Sequence, residues 1–154
     1  MSATGPRITT IDCQYLEPGF AAAFLWTDGE SAVFIENNTA HSVPLMLRAL
    51  ADAGLRAEQV SYVMITHVHL DHAGGSSALM KACPNATLIA HPRAVPHLID
   101  PSKLVRSARQ VYVDAAVEKL YGDITALDPS RVRALEDRVA LRVGGEEFRF
   151  MHTR

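Results

Sequence analysis

Three imidazoles and a carboxylate fall within six consecutive positions, His67-Val68-His69-Leu70-Asp71-His72. Imidazole nitrogen and carboxylate oxygen are zinc ligands, and iron and manganese accept the same donors. His67 and His69 are two apart, so an extended segment sends both rings to one side. If the chain turns beyond them, Asp71 and His72 need not point the same way. The motif can then feed two adjacent cations, one through His67 and His69, the other through Asp71 and His72. Burying four such groups without a cation costs desolvation and mutual crowding, which argues against an incidental cluster. Gly74-Gly75 lets the backbone pass closely beneath such a site before a helix begins.

A ligand loop needs a rigid mount. Residues 62–66 form a short β-branched-rich run that predicts a buried strand ending at the loop. Residues 76–82 read as a helix closed by Pro84-Asn85, and residues 86–90 as a strand leading into His91-Pro92. Upstream, residues 7–13 alternate loosely as a strand. Apolar runs over 20–27 and 31–36 flank Asp28-Gly29-Glu30, a hairpin signal. Asn37-Asn38-Thr39 then offers helix caps. Val43, Met46, Leu47 and Leu50 fall at helical spacing, with Gly54 where that helix stops. Residues 102–121 predict one long helix whose broad apolar stripe includes Leu104, Val105, Ala108, Tyr112 and Tyr121. Residues 140–143 and 147–151 flank Gly144-Gly145 as a second hairpin. Alternating strands and helices, with some strands paired, predict an α/β layer structure around a mixed sheet.

The composition suits one soluble domain over residues 1–154, being 48% hydrophobic and 21% charged. A net charge of −2 gives no electrostatic case for nucleic acid or an anionic membrane as partner. The apolar run over 20–26 is far short of the roughly 18 residues a spanning helix needs. It follows Glu17-Pro18-Gly19 rather than a basic leader, so no signal peptide is expected. Cys13 and Cys83 lie far apart without Cys-x-x-Cys spacing, which predicts packed thiols and a cytoplasmic protein. Trp26 reads as core. His41, His91 and His97 read as surface or packing residues, and Asp100, Asp114 and Asp123 as solvated acids.

Thr66-His67-Val68-His69-Leu70-Asp71-His72-Ala73-Gly74-Gly75 resembles the signature of the metallo-β-lactamase superfamily. His91-Pro92-Arg93, the stretch from His97 to Ser102 and Leu120-Tyr121-Gly122 look like its glyoxalase II-like metallo-hydrolase branch. The resemblance runs from about Ile8 to the end. It implies two zinc ions, with iron or manganese as alternatives: His67 and His69 on the first, Asp71 and His72 on the second. Asp71 also gains a catalytic task, orienting the activated water. The implied reaction is metal-assisted hydrolysis of a small ester, thioester or lactone. An iron-binding redox or oxygen-handling protein of the same fold is the first alternative, and a metal-binding fragment without turnover the second. The superfamily fold is a four-layer αβ/βα sandwich of two similar halves, and this chain is expected to be the N-terminal half. His152-Thr153-Arg154 looks like the start of the family's His-Thr-x-Gly-His segment, whose second His is the ligand. The sequence is therefore expected to be truncated before the third metal-ligand His. The inner sheet face is then expected to be bare, awaiting the missing half or a second copy of the chain.

Overall fold

In the computed structural model, residues 5–153 are described; the last residue of the expected truncated segment, Arg154, lies outside them. Asp28-Gly29-Glu30 makes the hairpin its composition predicts. β1 (Arg7–Asp12) precedes it; β2 (Ala22–Thr27) and β3 (Ala32–Ile35) run antiparallel, with Phe24 opposite Ile35 and Thr27 opposite Ala32. Asp28 Oδ1 accepts the N–H groups of Glu30 at 2.9 Å and Ser31 at 2.7 Å. Gly29 takes φ +96°, a backbone shape that a side chain resists. Those donated bonds, Ser31 first, hold the Asp28 carboxyl below its ordinary range.

β1 pairs antiparallel with the other edge of β2. From β3 onward the strands run parallel, each crossover carrying helix. α1 (Val43–Asp52) leads to β4 (Val60–Met64), which starts two residues earlier than the apolar run suggests. The short α2 (Leu70–Ala73) and α3 (Ser76–Ala82) lead to β5 (Thr87–Ala90). Then come α4 (Val95–Ile99), α5 (Ser102–Val111), α6 (Asp114–Tyr121) and the edge strand β6 (Val132–Ala134). The six-stranded sheet has the order β1-β2-β3-β4-β5-β6, with β7 (Ala140–Val143) and β8 (Glu146–Arg149) as a separate hairpin. The mixed α/β architecture agrees with the sequence, and parallel strands β3 to β6 bring their carboxyl ends to one edge.

Neighbouring residues go to opposite sides of the sheet, as the two-residue period requires. Leu25, Phe34, Val63 and Leu88 meet Met46, Leu50, Leu79 and Met80 on the helix-covered side. Trp26, Val33, Met64 and Ile89 meet Leu141 and Val143 on the other. Burial on both faces explains why these strands read as unbroken apolar runs. The expected bare face is thus covered over its centre. The β7–β8 hairpin lies on it, with Phe148 edge-on to Trp26 at 5.1 Å between ring centres. What remains is a groove of about 420 Å³ at the carboxyl edge, floored by Ile35, Met64 and Leu135.

The single helix expected over 102–121 is two. Tyr112 and Val113 are extended, and Val113 O restarts the helix by accepting from Ala116 N and Val117 N. Val111 and Val113 are β-branched and weak helix formers. The break lets α6 bury Val117 and Tyr121, whereas α5 buries no residue. β6 was not foreseen: three residues are too few to show a period.

Arg131 locks β6 to the rest. Its guanidinium donates to the carbonyls of Met80 (2.8 Å), Cys83 (2.6 Å) and Ala86 (2.9 Å), closing the turn after α3. Arg131→Ala should cost about 2 kcal/mol in urea unfolding, because it strips three partly buried acceptors of a charged donor. Arg131→Lys should recover only part, having no planar fork. Both cysteines are free and buried. Burial raises the Cys13 thiol and pushes Cys83 up to about 11, as packed thiols should behave. Among the described residues no helix is long and apolar enough to cross a membrane.

Candidate metal centre

The His loop leaves β4 at the edge where the parallel strands end, the usual place for a site on an open α/β sheet. The chain is extended through His69 (φ −56°, ψ 140°) and then turns into α2. His69 O accepts the N–H groups of His72 and Ala73, each at 2.9 Å. Of the four residues singled out in the sequence, the turn brings His67 and His72 together, and leaves His69 beside His67 alone and Asp71 beside His72 alone. The His67 ring lies 4.9 Å from that of His69 and 4.1 Å from that of His72, centre to centre. His72 Nε2 is 3.6 Å from Asp71 Oδ2. Burial, then the neighbouring His72, holds His67 below the ordinary imidazole value. That favours the neutral ring, the form that binds cations.

A fifth residue belongs to the cluster. Glu36, at the end of β3, is 6% exposed. Its Oε1 accepts from Thr66 N–H at 2.7 Å, and its Oε2 is hydrogen-bonded to His72 Nδ1. One potential ligand atom from each of Glu36, His67 and His72 lies within 4.8 Å of the others. We read Glu36 as the partner that orients His72 rather than as a ligand. With Nδ1 engaged, Nε2 is the nitrogen left facing Asp71. A carboxylate on the far nitrogen fixes the tautomer and aim of a ligating imidazole. Sequence reasoning took Glu36 for the end of an apolar run. An acid closing Val33-Phe34-Ile35 was the available signal, since a charge beside a buried strand needs a partner.

The loop is also held from behind. Asn37 N–H and Asn38 N–H both donate to His72 O, at 3.0 and 3.1 Å. Asn38 Nδ2 donates to Asp71 O at 2.8 Å, and its Oδ1 accepts from Ser42 Oγ at 2.6 Å. Asn37 Nδ2 donates to Ser76 Oγ at 2.8 Å, while its Oδ1 accepts from Gly75 N–H at 3.0 Å. Asn37, Asn38 and Ser42 are at most 1% exposed. Expected to cap a helix, the two asparagines instead clasp the ligand loop to the end of β3. Thr39 alone keeps the capping position, before a 3-10 turn over Ala40–Ser42.

The other histidines stand apart. The His91 and His152 rings lie 4.0 Å apart, centre to centre and tilted to each other, and line the groove with Thr66. His152 Nε2 lies 3.0 Å from Leu135 O, and its N–H donates to Asp137 at 2.8 Å. His41 Nε2 lies 3.3 Å from Glu118 O. Glu36→Gln tests the orienting role: it keeps the shape and removes the charge. Metal affinity should fall about 10- to 100-fold, read by competition with a chromogenic chelator. Unchanged affinity would show that His72 needs no carboxylate behind it.

A mixed sheet with an imidazole and carboxylate cluster at its carboxyl edge defines a metal-binding α/β protein. The chain belongs to the metallo-beta-lactamase superfamily, whose family model matches residues 24–154. Among solved structures it is similar to the native FEZ-1 metallo-beta-lactamase from Legionella gormanii (TM-score 0.67, 17% identity, 94% of this chain and 51% of that one). A subclass B3 metallo-beta-lactamase from a soil metagenome library gives 0.63 and 21%, covering 92% and 49%. The metallo-beta-lactamase SMB-1, in a complex with mercaptoacetic acid, gives 0.63 and 22%, covering 94% and 52%. Identities this low establish a shared fold. The chain spans about half the length of these proteins. No curated protein matches it.

Proposed function

We propose that this chain is the metal-holding part of a hydrolase acting on an ester, thioester or lactone. One observation supports the reading: His67 and His72 meet at the strand edge beside the buried Glu36 carboxylate, with His69 next to His67 and Asp71 next to His72. Three imidazoles and an aspartate are a donor set that fits zinc. Bound there, zinc supplies Lewis acidity toward water and toward a carbonyl oxygen. His67 and His69 would hold one ion, and Asp71 and His72 the other. Asp71, with its side chain 47% exposed, keeps a carboxylate oxygen free to orient water.

Thioester or lactone chemistry of the glyoxalase II-like kind rests on His91-Pro92-Arg93 and Leu120-Tyr121-Gly122. The remaining ligands would come from the second half of the fold or from a second copy of the chain. The groove beside His91 and His152 suits either as a seat. Two buried, unpaired thiols support a cytoplasmic setting.

The test is metal analysis of protein expressed in defined medium, followed by a panel of esters, thioesters and lactones before and after chelation. Stoichiometric zinc and chelator-sensitive turnover are expected. Stoichiometric iron with little zinc would replace this reading with the redox alternative. Full metal loading without hydrolysis would leave a binding fragment.

A further inference from the structure

Among the described residues, Thr125 Oγ1 is the one buried side-chain polar atom left without a hydrogen-bond partner. Folded proteins nearly always answer such a group, with protein or with ordered water. Thr125 lines a cavity of about 20 Å³ between α2, α3, α4 and residues 124–127. One wall is the back of the ligand turn. Leu70, Ala73 and Gly74 stand at i, i+3 and i+4, so they share one face of that turn. Asp71 and His72 leave from the other.

Two more hydroxyls line the cavity, those of Ser76 and Ser77, which are 3% and 4% exposed. Ser77 Oγ accepts from Thr125 N–H at 3.1 Å, and Ser76 Oγ accepts from Asn37 Nδ2 at 2.8 Å. Neither hydroxyl donates to a described residue, so both protons remain to be placed. Elsewhere the wall is largely apolar. Leu127 N–H donates to Leu98 O at 3.2 Å and holds the 124–127 segment against α4.

Size and chemistry together choose the occupant. One water needs roughly 10–15 Å³ of such space and two to four polar partners. The cavity meets the first requirement once over, and its hydroxyls meet the second. It is far smaller than the groove beside His91 and too small for a substrate. No carboxylate lines it, so it lacks the oxygen charge that a hard cation requires.

We propose that this cavity binds one ordered water, which accepts from the Ser77 hydroxyl and donates to Thr125 Oγ1. The water forms a second link, beside the direct bond from Thr125 N–H to Ser77 Oγ, between the 124–127 segment and the corner where α2 passes into α3. It backs the turn that carries Asp71 and His72, a support separate from the asparagine clasp.

Neither metal nor turnover enters the test, so its failure leaves the hydrolase reading untouched. A crystal structure of the chain should show one ordered peak within about 3 Å of Thr125 Oγ1. In solution, water cross-peaks to the Thr125 and Ser77 amides should report the same molecule by NMR. Thr125→Val keeps the shape and removes the hydroxyl, and the sign of its effect is diagnostic. With water in place, valine strands that water, and the urea midpoint should fall by roughly 0.5 M. A hydroxyl that nothing answers gives the reverse, because valine then removes an unsatisfied polar group. A cavity without density would overturn the proposal, as would a midpoint that valine leaves unchanged or raises. A peak that appears only with sodium in the buffer would overturn it as well.

Discussion

Gly75→Ala is expected to destabilise the protein by about 3 kcal/mol. A Cβ at Gly75 would stand 2.6 Å from Thr39 O, 2.7 Å from Asn37 O and 2.9 Å from Thr39 C. All three are backbone atoms, so no rotamer change relieves the clash. The clasp must move away from α3, taking with it the bond from Gly75 N–H to Asn37 Oδ1. The buried Asn37 side chain then loses a partner. Equilibrium urea unfolding gives the measurement. Gly145→Ala is the control, since nothing lies within 4 Å of its built Cβ. Equal midpoints for the two variants would mean that the close approach of α3 to the clasp is wrong.

His69→Ala should have the opposite profile, with little effect on folding and a large one on metal. The His69 side chain is exposed, and only its backbone carbonyl takes part in the turn into α2. Alanine keeps that carbonyl, so stability should change by no more than about 0.5 kcal/mol. Removing the imidazole takes away one of the two nitrogens proposed for the first ion. Metal bound per chain should fall, and affinity at that position should drop by more than roughly 100-fold, beyond the cost of losing an orienting partner. Metal analysis after dialysis against a weak chelator measures both. An unchanged metal content would remove His69 from the ligand set.

The placing of the His-rich loop directly after a buried strand was legible because its information is local: six consecutive residues carry it, and an apolar run announces it. The Asp28-Gly29 hairpin was legible for the same reason. Glu36 was not. It meets His72 and Thr66 across 36 and 30 positions of sequence, and only strand pairing brings them together. Asn37 and Asn38 show a subtler failure. Their side chains suit a helix cap equally well, and the chain uses them against His72, Asp71 and Gly75 instead. The break at Tyr112 and Val113 was hidden because the apolar stripe runs on through it. Docking of Val117 and Tyr121 against the body of the protein decided that geometry, and no helical period records it.

The clasp has a consequence for how a cation arrives. The peptide groups of Asp71 and His72 are already fastened to Asn37 and Asn38, with Glu36 already on the His72 ring. Arrival of an ion therefore freezes little backbone, and most of its intrinsic affinity survives as net affinity. It also means that β3, which donates no residue to the proposed ligand set, governs selectivity: a loop set at a fixed spacing cannot stretch to suit ions of different radius.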